Sequence, residues 1–164
     1  MNTNTLKVLV DTNVWVDYYT GRDVDHGHSS KLIKKLLCSK HSVLASSLST
    51  KDLFYLLQAY LKTAHRSYSG GSFNHIQAAA IQEVAWKSTE HLIGAVDIVP
   101  VDDIGCRRAL SLRETCIDYE DNLVVACAES CGADYLVTCD NALRAPKPLS
   151  VVSPKQLYAM LFEN

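Results

Sequence analysis

The stretch Asp118–Ala142, DYEDNLVVACAESCGADYLVTCDNA, restricts the fold more than any other. Leu123, Val124, Ala126, Cys127 and Ala128 form a helix-forming apolar run, and Gly132 stands where a C-terminal cap is expected. Tyr135–Val137 is a short β-type run ending in Thr138, Cys139 and Asp140. Carboxylates therefore stand at both ends. Where helices join parallel strands they run antiparallel to them, so a helix start at Asp121 and a strand end at Asp140 share one rim of the sheet. Open α/β sheets bind their ligands on that rim.

The preceding chain follows the same plan. Leu6–Val10 reads as a central strand buried on both faces, ending in Asp11-Thr12-Asn13 before a helix that starts at Val14 and Trp15. Asp11 also has a purely structural reading, as that helix's N-cap. Thr20–His28 is a polar loop, with His26 and His28 in a solvated turn, and Ser30–Lys40 is an amphipathic helix with its lysines outward. Ser42–Ala45 is a second strand, and Ser49-x-x-Asp52 resembles a capping box before the helix Leu53–Leu61. Lys62–Phe73, with Gly70-Gly71, reads as a loop whose Lys62, His65, Arg66 and Tyr68 combine charge with an aromatic platform for single-stranded nucleic acid.

Asn74–Gly94 is a long helix with apolar residues on more than one face, which calls for neighbours on two sides or a subunit interface. Val96–Val101 is a third strand. Asp102 opens a helix through Glu114 whose Arg107 and Arg108 could line the mouth of the rim. Leu149–Val152 is an edge strand, and Ser153-Pro154 opens a last helix ending at Phe162. The order is that of an α/β sandwich with about five strands.

Composition sets the limits. Residues 1–164 suit one domain, and 48% apolar residues supply one core. A net charge of -2 and a pI near 6.3 give no global attraction for a polyanion, so nucleic-acid contacts must come from local basic patches. No apolar run approaches the ~20 residues that span a bilayer, and the N-terminus lacks the pattern of a signal peptide, so a cytoplasmic protein with no membrane contact is expected. The six cysteines then read as free thiols. Cys127 and Cys131 share a helix face, but nothing nearby in sequence completes a soft-metal site.

Topology sends Asp11, Asp52, Asp121 and Asp140 to one edge. Like charges in proximity raise one another's pKa and oppose folding, and no Lys or Arg of the same short motifs is read as neutralising them. A bound divalent cation is the economical solution, and an all-oxygen donor set points to Mg²⁺ or Mn²⁺.

Four segments together, VDTNVW at Val10–Trp15, S-x-x-x-K-D-L ending at Leu53, DYEDNL at Asp118–Leu123 and GADYLVTCD at Gly132–Asp140, resemble the motifs of the PIN-domain nucleases, most of all the small prokaryotic VapC-type toxins. The resemblance implies a PIN-like three-layer sandwich around a central parallel sheet of about five strands. It also implies a Mg²⁺- or Mn²⁺-dependent endoribonuclease acting on single-stranded or structured RNA, often a homodimer and often inhibited by a cognate antitoxin protein. By motif, Asp11 and Asp121 would be the main catalytic metal ligands, with Asp140 and Asp52 completing the site directly or through water. Asn13 and Thr138 would orient them. The family usually has Glu where Asp52 stands, and the shorter side chain implies reach through a water. Glu120 falls on a different helix face and is set aside; Asp118 would cap the helix or hold a second metal. A haloacid-dehalogenase-like phosphatase would need an aspartate where Asn13 stands. A PIN-like module that binds RNA or protein without turnover is the alternative, against which the four retained acids argue.

Overall fold

Alternation along the first strand sets the layering. In the computed structural model, which describes residues 5–22, 27–69, 71, 74–143 and 145–163, strand β1 is Lys7–Val10. Its Val8 and Val10 face one core and its Leu9 the other, the period-2 outcome for a strand covered on both sides. The remaining strands are β2 (Ser42–Ser46), β3 (Asp97–Val99), β4 (Tyr135–Val137) and β5 (Ser150–Val152). They pair in the order β3-β2-β1-β4-β5, every pair parallel, with Leu9 in register with Leu44 on one side and Leu136 on the other. This is the expected five-stranded parallel sheet.

Helices α1 (Thr12–Thr20), α2 (His28–Leu37), α3 (Ser47–Ser69), α4 (His75–Ala95) and α7 (Pro154–Phe162) contribute to the first core. Trp15, Leu32, Ile33, Leu53, Leu92 and Leu157 fill it. The second core takes Val124, Val125 and Ala128 from α6 (Tyr119–Ser130), with Leu112 just past α5 (Asp103–Ser111), and Leu143 and Leu149. Each fully buried Leu or Val contributes about 1.5–3 kcal/mol relative to exposure, so both layers are held to the sheet strongly. Trp15, fully buried, also donates from Nε1 to the Val10 carbonyl at 3.2 Å, which locks the β1–α1 turn. Among the described residues no helix is long and apolar enough to cross a membrane. All six cysteines are thiols; Cys127 is buried and Cys131 donates to the Ala128 carbonyl, so this pair is packing.

Several local expectations are corrected. Lys62–Ser69 is helical: no Gly or Pro interrupts the chain before Gly70, and α3 packs on α4 along the hairpin, with Phe54 and Trp86 rings 4.8 Å apart. Residues 70, 72 and 73 of the expected loop lie outside the described residues, as does His26; His28 begins α2. The capping box at Ser49 and Asp52 is absent, because α3 starts at Ser47 directly after β2 and Ser49 is buried, accepting from the Thr12 hydroxyl at 2.8 Å. Helix α5 stops at Ser111 rather than Glu114.

Candidate active site

The strand order reverses direction between β1 and β4, and the crevice at such a switch point is where open α/β sheets take ligands. Asp11 follows β1 and Asp140 follows β4, so both stand at this crevice. Asp11 caps α1: one carboxylate oxygen accepts from the Thr12 amide at 2.6 Å and the other from the Thr138 hydroxyl at 2.7 Å. That hydroxyl also accepts from Asn13 Nδ2 at 3.1 Å and from the Asp140 amide at 3.0 Å. With both lone pairs of Oγ1 engaged, its single proton is committed to Asp11. Asn13 Oδ1 accepts from the Cys139 amide at 3.1 Å, which fixes the orientation of its side-chain amide. Thr138 thus touches Asp11 and the Asp140 backbone, and Asn13 touches Thr138.

Asp121 comes from the first turn of α6. Asp118 caps that helix through the amides of Glu120 and Asp121, so the alternative of a second-metal ligand is not needed to explain it. Cys116 donates its thiol to Asp121 Oδ2 at 3.4 Å, and buried Asn122 holds the Cys116 carbonyl at 2.8 Å, pinning the preceding loop to the helix.

Burial pushes the Asp11 carboxyl up to about 6 against the hydrogen bonds from Thr138 and Thr12, and the charges of Asp121 and Glu120 add to the rise. Asp121 is raised too, first by burial and then by Asp118 and Asp140, while the Cys116 hydrogen bond lowers it. Among the described residues no ammonium, guanidinium or imidazolium forms an ion pair with Asp11, Asp121 or Asp140. Acids from distant segments therefore act on one another, Asp121 on Asp11 and Asp140 on Asp121, with no cation of the described residues paired to them.

Asp52 differs. Lys51 Nζ sits 2.8 Å from its carboxylate, so a lysine of the same motif does neutralise this acid. Its charge is not among those acting on Asp11 or Asp121. Glu120, set aside on helix-face grounds, does act on Asp11 and on Lys51. In the first turn of a helix all side chains lie near the same end, so a change of face does not remove a charge from reach.

The basic candidates lie elsewhere. Lys62 and Arg66 are on α3, about 15 and 21 Å along the axis from Asp52 at 1.5 Å per residue. Arg107 pairs with Asp103 on its own helix, and Arg108 makes a two-pronged pair with Glu129, about 12 Å down α6 from Asp121. These arginines do not line the mouth; their charges are engaged on the flank of the second layer.

A family profile described as PIN domain matches residues 7–142. The chain belongs to the PIN-domain family. It is 25% identical over 146 residues to Ribonuclease VapC1 of Aquifex aeolicus, covering 87% of this chain and 88% of that protein. Its fold is similar to that of VapBC2 from Rickettsia felis bound to a DNA fragment from their promoter: TM-score 0.62, 14% identity, 90% of this chain and 98% of that one. VapC20 of Mycobacterium tuberculosis, a sarcin-ricin loop cleaving toxin, gives a TM-score of 0.54 at 15% identity over 79% of this chain and 86% of that one.

Within this PIN domain the donor set suits a hard divalent cation. Asp121 Oδ1 and one oxygen of Asp140 accept nothing from described residues, and both are carboxylate oxygens. The Cys116 thiol beside them is pushed up in pKa by burial, hence protonated and a donor rather than a thiolate ligand. Among the described residues no three Asp, Glu, His or Cys side chains are already gathered into a cage. Asp52 is turned to Lys51, and one oxygen of Asp140 accepts from the Ala142 amide at 2.7 Å. Lys51, Glu120 and Cys116 escape sequence reasoning, because each acts through a side-chain reach that spacing does not encode.

Proposed function

We propose that residues 1–164 form one PIN domain acting as a Mg²⁺- or Mn²⁺-dependent endoribonuclease on single-stranded or structured RNA, the toxin of a toxin-antitoxin pair. The observation that carries this is Asp11: a carboxyl pushed up to about 6, beside Asp121 and Glu120, with no cation among the described residues paired to it. The names and activities of the VapC relatives support the same reading.

Asp11 and Asp121 would hold the ion, with Asp140 completing the set and Asp52 joining directly or through water once released from Lys51. A bound divalent ion supplies electrophilic charge to a phosphodiester and acidifies water. Thr138 keeps Asp11 ionised and aimed by donating to it, and Asn13 holds Thr138 in that role. Cys116 orients Asp121 in the same way. Basic groups for the RNA backbone, Lys62, Arg66, Arg107 and Arg108, would act only at a distance from the cut, since none reaches the crevice.

Incubating purified protein with single-stranded RNA, with and without Mn²⁺ or Mg²⁺, tests this. Metal-dependent cuts bearing 5′-phosphate and 3′-hydroxyl ends are expected; intact RNA under every metal condition would leave a binding module instead. The uncompensated rim charge also suits an antitoxin that places a basic side chain among the acids. Co-purification with the product of the adjacent gene, with loss of cleavage, checks that partner. Exposed Ile76, Val84, Trp86 and Ile93 on α4 support a homodimer, checked by sedimentation at tens of micromolar. RNA as substrate places the work in the cytoplasm.

A further inference from the structure

A second concavity adjoins the acid rim. Where β4 and β5 end, a cavity of about 330 Å³ opens that shares Thr138 and Asp140 with the crevice. Its volume lies at the lower end of those of small-molecule sites, space for one ring system and not for a folded element. The lining joins the buried side chains of Leu143, Leu149 and Val152 to polar side chains that include the amides of Asn141 and Gln156.

Gln156 is held in a defined way. Its Oε1 accepts from the Ser153 amide at 2.8 Å and Ser153 Oγ accepts from the Gln156 amide at 3.2 Å, the reciprocal bonds that start α7. The side-chain oxygen is thereby engaged, and Nε2, with two hydrogens, has no hydrogen-bond partner among the described residues. The lining thus combines a fixed side-chain donor with buried apolar side chains. Asp140 is the one charged group among the described residues of the lining and it disfavours an anion, so a neutral flat ring with an acceptor on its edge is the ligand these residues favour.

We propose that this cavity seats one nucleobase, splayed from the strand beside the cleaved phosphodiester, and that Gln156 reads its edge by donating from Nε2 to a carbonyl or ring-nitrogen acceptor. This rests on the ribonuclease reading above, because sharing Asp140 is what ties the base to the cut. Unstacked bases of single-stranded RNA are recognised through such edges. Among the described residues no aromatic side chain lines the cavity, so selection falls on the edge rather than on stacking.

The test uses Gln156→Glu, which keeps the acceptor that closes the α7 start and replaces the amide donor with an acceptor. Parent and variant are first compared in melting, with and without Mn²⁺, and both curves should coincide. Single-stranded oligoribonucleotides varied one position at a time are then cut in Mn²⁺. The parent should prefer one class of base at a single position next to the cut by about tenfold or more, the discrimination of one good base contact. Gln156→Glu should lose or invert that preference and keep those at other positions. Separately, neutral ribonucleosides are titrated, without metal, into ¹⁵N-labelled parent while the Gln156 side-chain amide signal is followed. A shift of that signal is expected with acceptor-bearing bases. An unchanged preference in the variant overturns the pocket and leaves the nuclease standing. No cleavage by the parent together with a shifted Gln156 signal overturns the nuclease and leaves a base pocket. Neither cleavage nor shift overturns both.

Discussion

On the β1–β4 flank of the rim, both oxygens of Asp11 accept hydrogen bonds, from Thr12 and Thr138, and no described cation is paired to it; on the β2–α3 flank, Asp52 holds Lys51 at 2.8 Å. The first arrangement fixes a carboxylate in space while leaving its charge opposed by Asp121 and Glu120. The second balances the charge while leaving the geometry to a long, exposed side chain. A carboxylate that is aimed but not neutralised is poised for an external cation, whereas one that already has a partner must give it up first. The two flanks therefore differ in how much metal binding would change them.

Asp11→Asn should break the contrast most. Cleavage in Mn²⁺ should fall by at least about a hundredfold, the loss typical of removing one electrostatic group that acts on the reacting centre. The fold should persist, since Asn caps helices about as well as Asp. Melting without metal should rise or hold, and the Mn²⁺-induced shift should shrink; equal shifts in parent and variant would reduce Asp11 to a cap.

Thr138→Val comes next. It keeps the β-branched shape but leaves Asn13 Nδ2 and the Asp140 amide without their acceptor, costing about 1–3 kcal/mol in urea unfolding. Mn²⁺ affinity should drop about 10–100-fold, as when a residue orienting metal ligands is removed. Unchanged affinity would show that Asp11 needs no orientation.

The pH dependence of the metal-free protein sharpens the contrast further. Because the folded Asp11 carboxyl is raised to about 6, the folded state holds a proton that the unfolded chain has already released. The stability contributed by this group is then fully present below the unfolded value of 3.8 and falls as pH rises towards about 6, by on the order of 2–3 kcal/mol. Asp121, raised as well, contributes in the same direction. Denaturation of the parent at a series of pH values, beside Asp11→Asn, should show a shallower decline in the variant. The smallest effect is expected of Lys51→Met, which frees Asp52: melting should scarcely move, since exposed ion pairs contribute little, while Mn²⁺ affinity rises modestly. A fall in affinity would mean that Lys51 supports the site rather than competing for it.

How much of this is legible in the sequence follows from what each feature depends on. Strand and helix order is set by local apolar patterns such as Lys7–Val10, so the five parallel strands and the placement of Asp11, Asp121 and Asp140 at one rim follow from topology alone. Asp52 does not follow. Neighbours in a helix point in different directions, so Lys51 looks remote from it, yet a four-carbon stem in the first turn reaches back. Lys62–Ser69 goes wrong because Gly70-Gly71 signals a break without saying on which side the helix stops. Arg108 finds Glu129 on another helix, a tertiary contact no spacing rule contains.

The bond from Thr138 to Asp11 joins residues 127 positions apart. A chain emerging from the ribosome presents Asp11 first, then Asp52 and Asp121, but β1 gains its β4 neighbour only after Tyr135–Val137 have been made. Until then Asp11 is tethered on one side only, and the crevice has one wall. Under the ribonuclease reading proposed above, this order of events would keep the growing chain inert beside the ribosomal and messenger RNA that is making it. Activity would then arrive only once β4 has paired with β1.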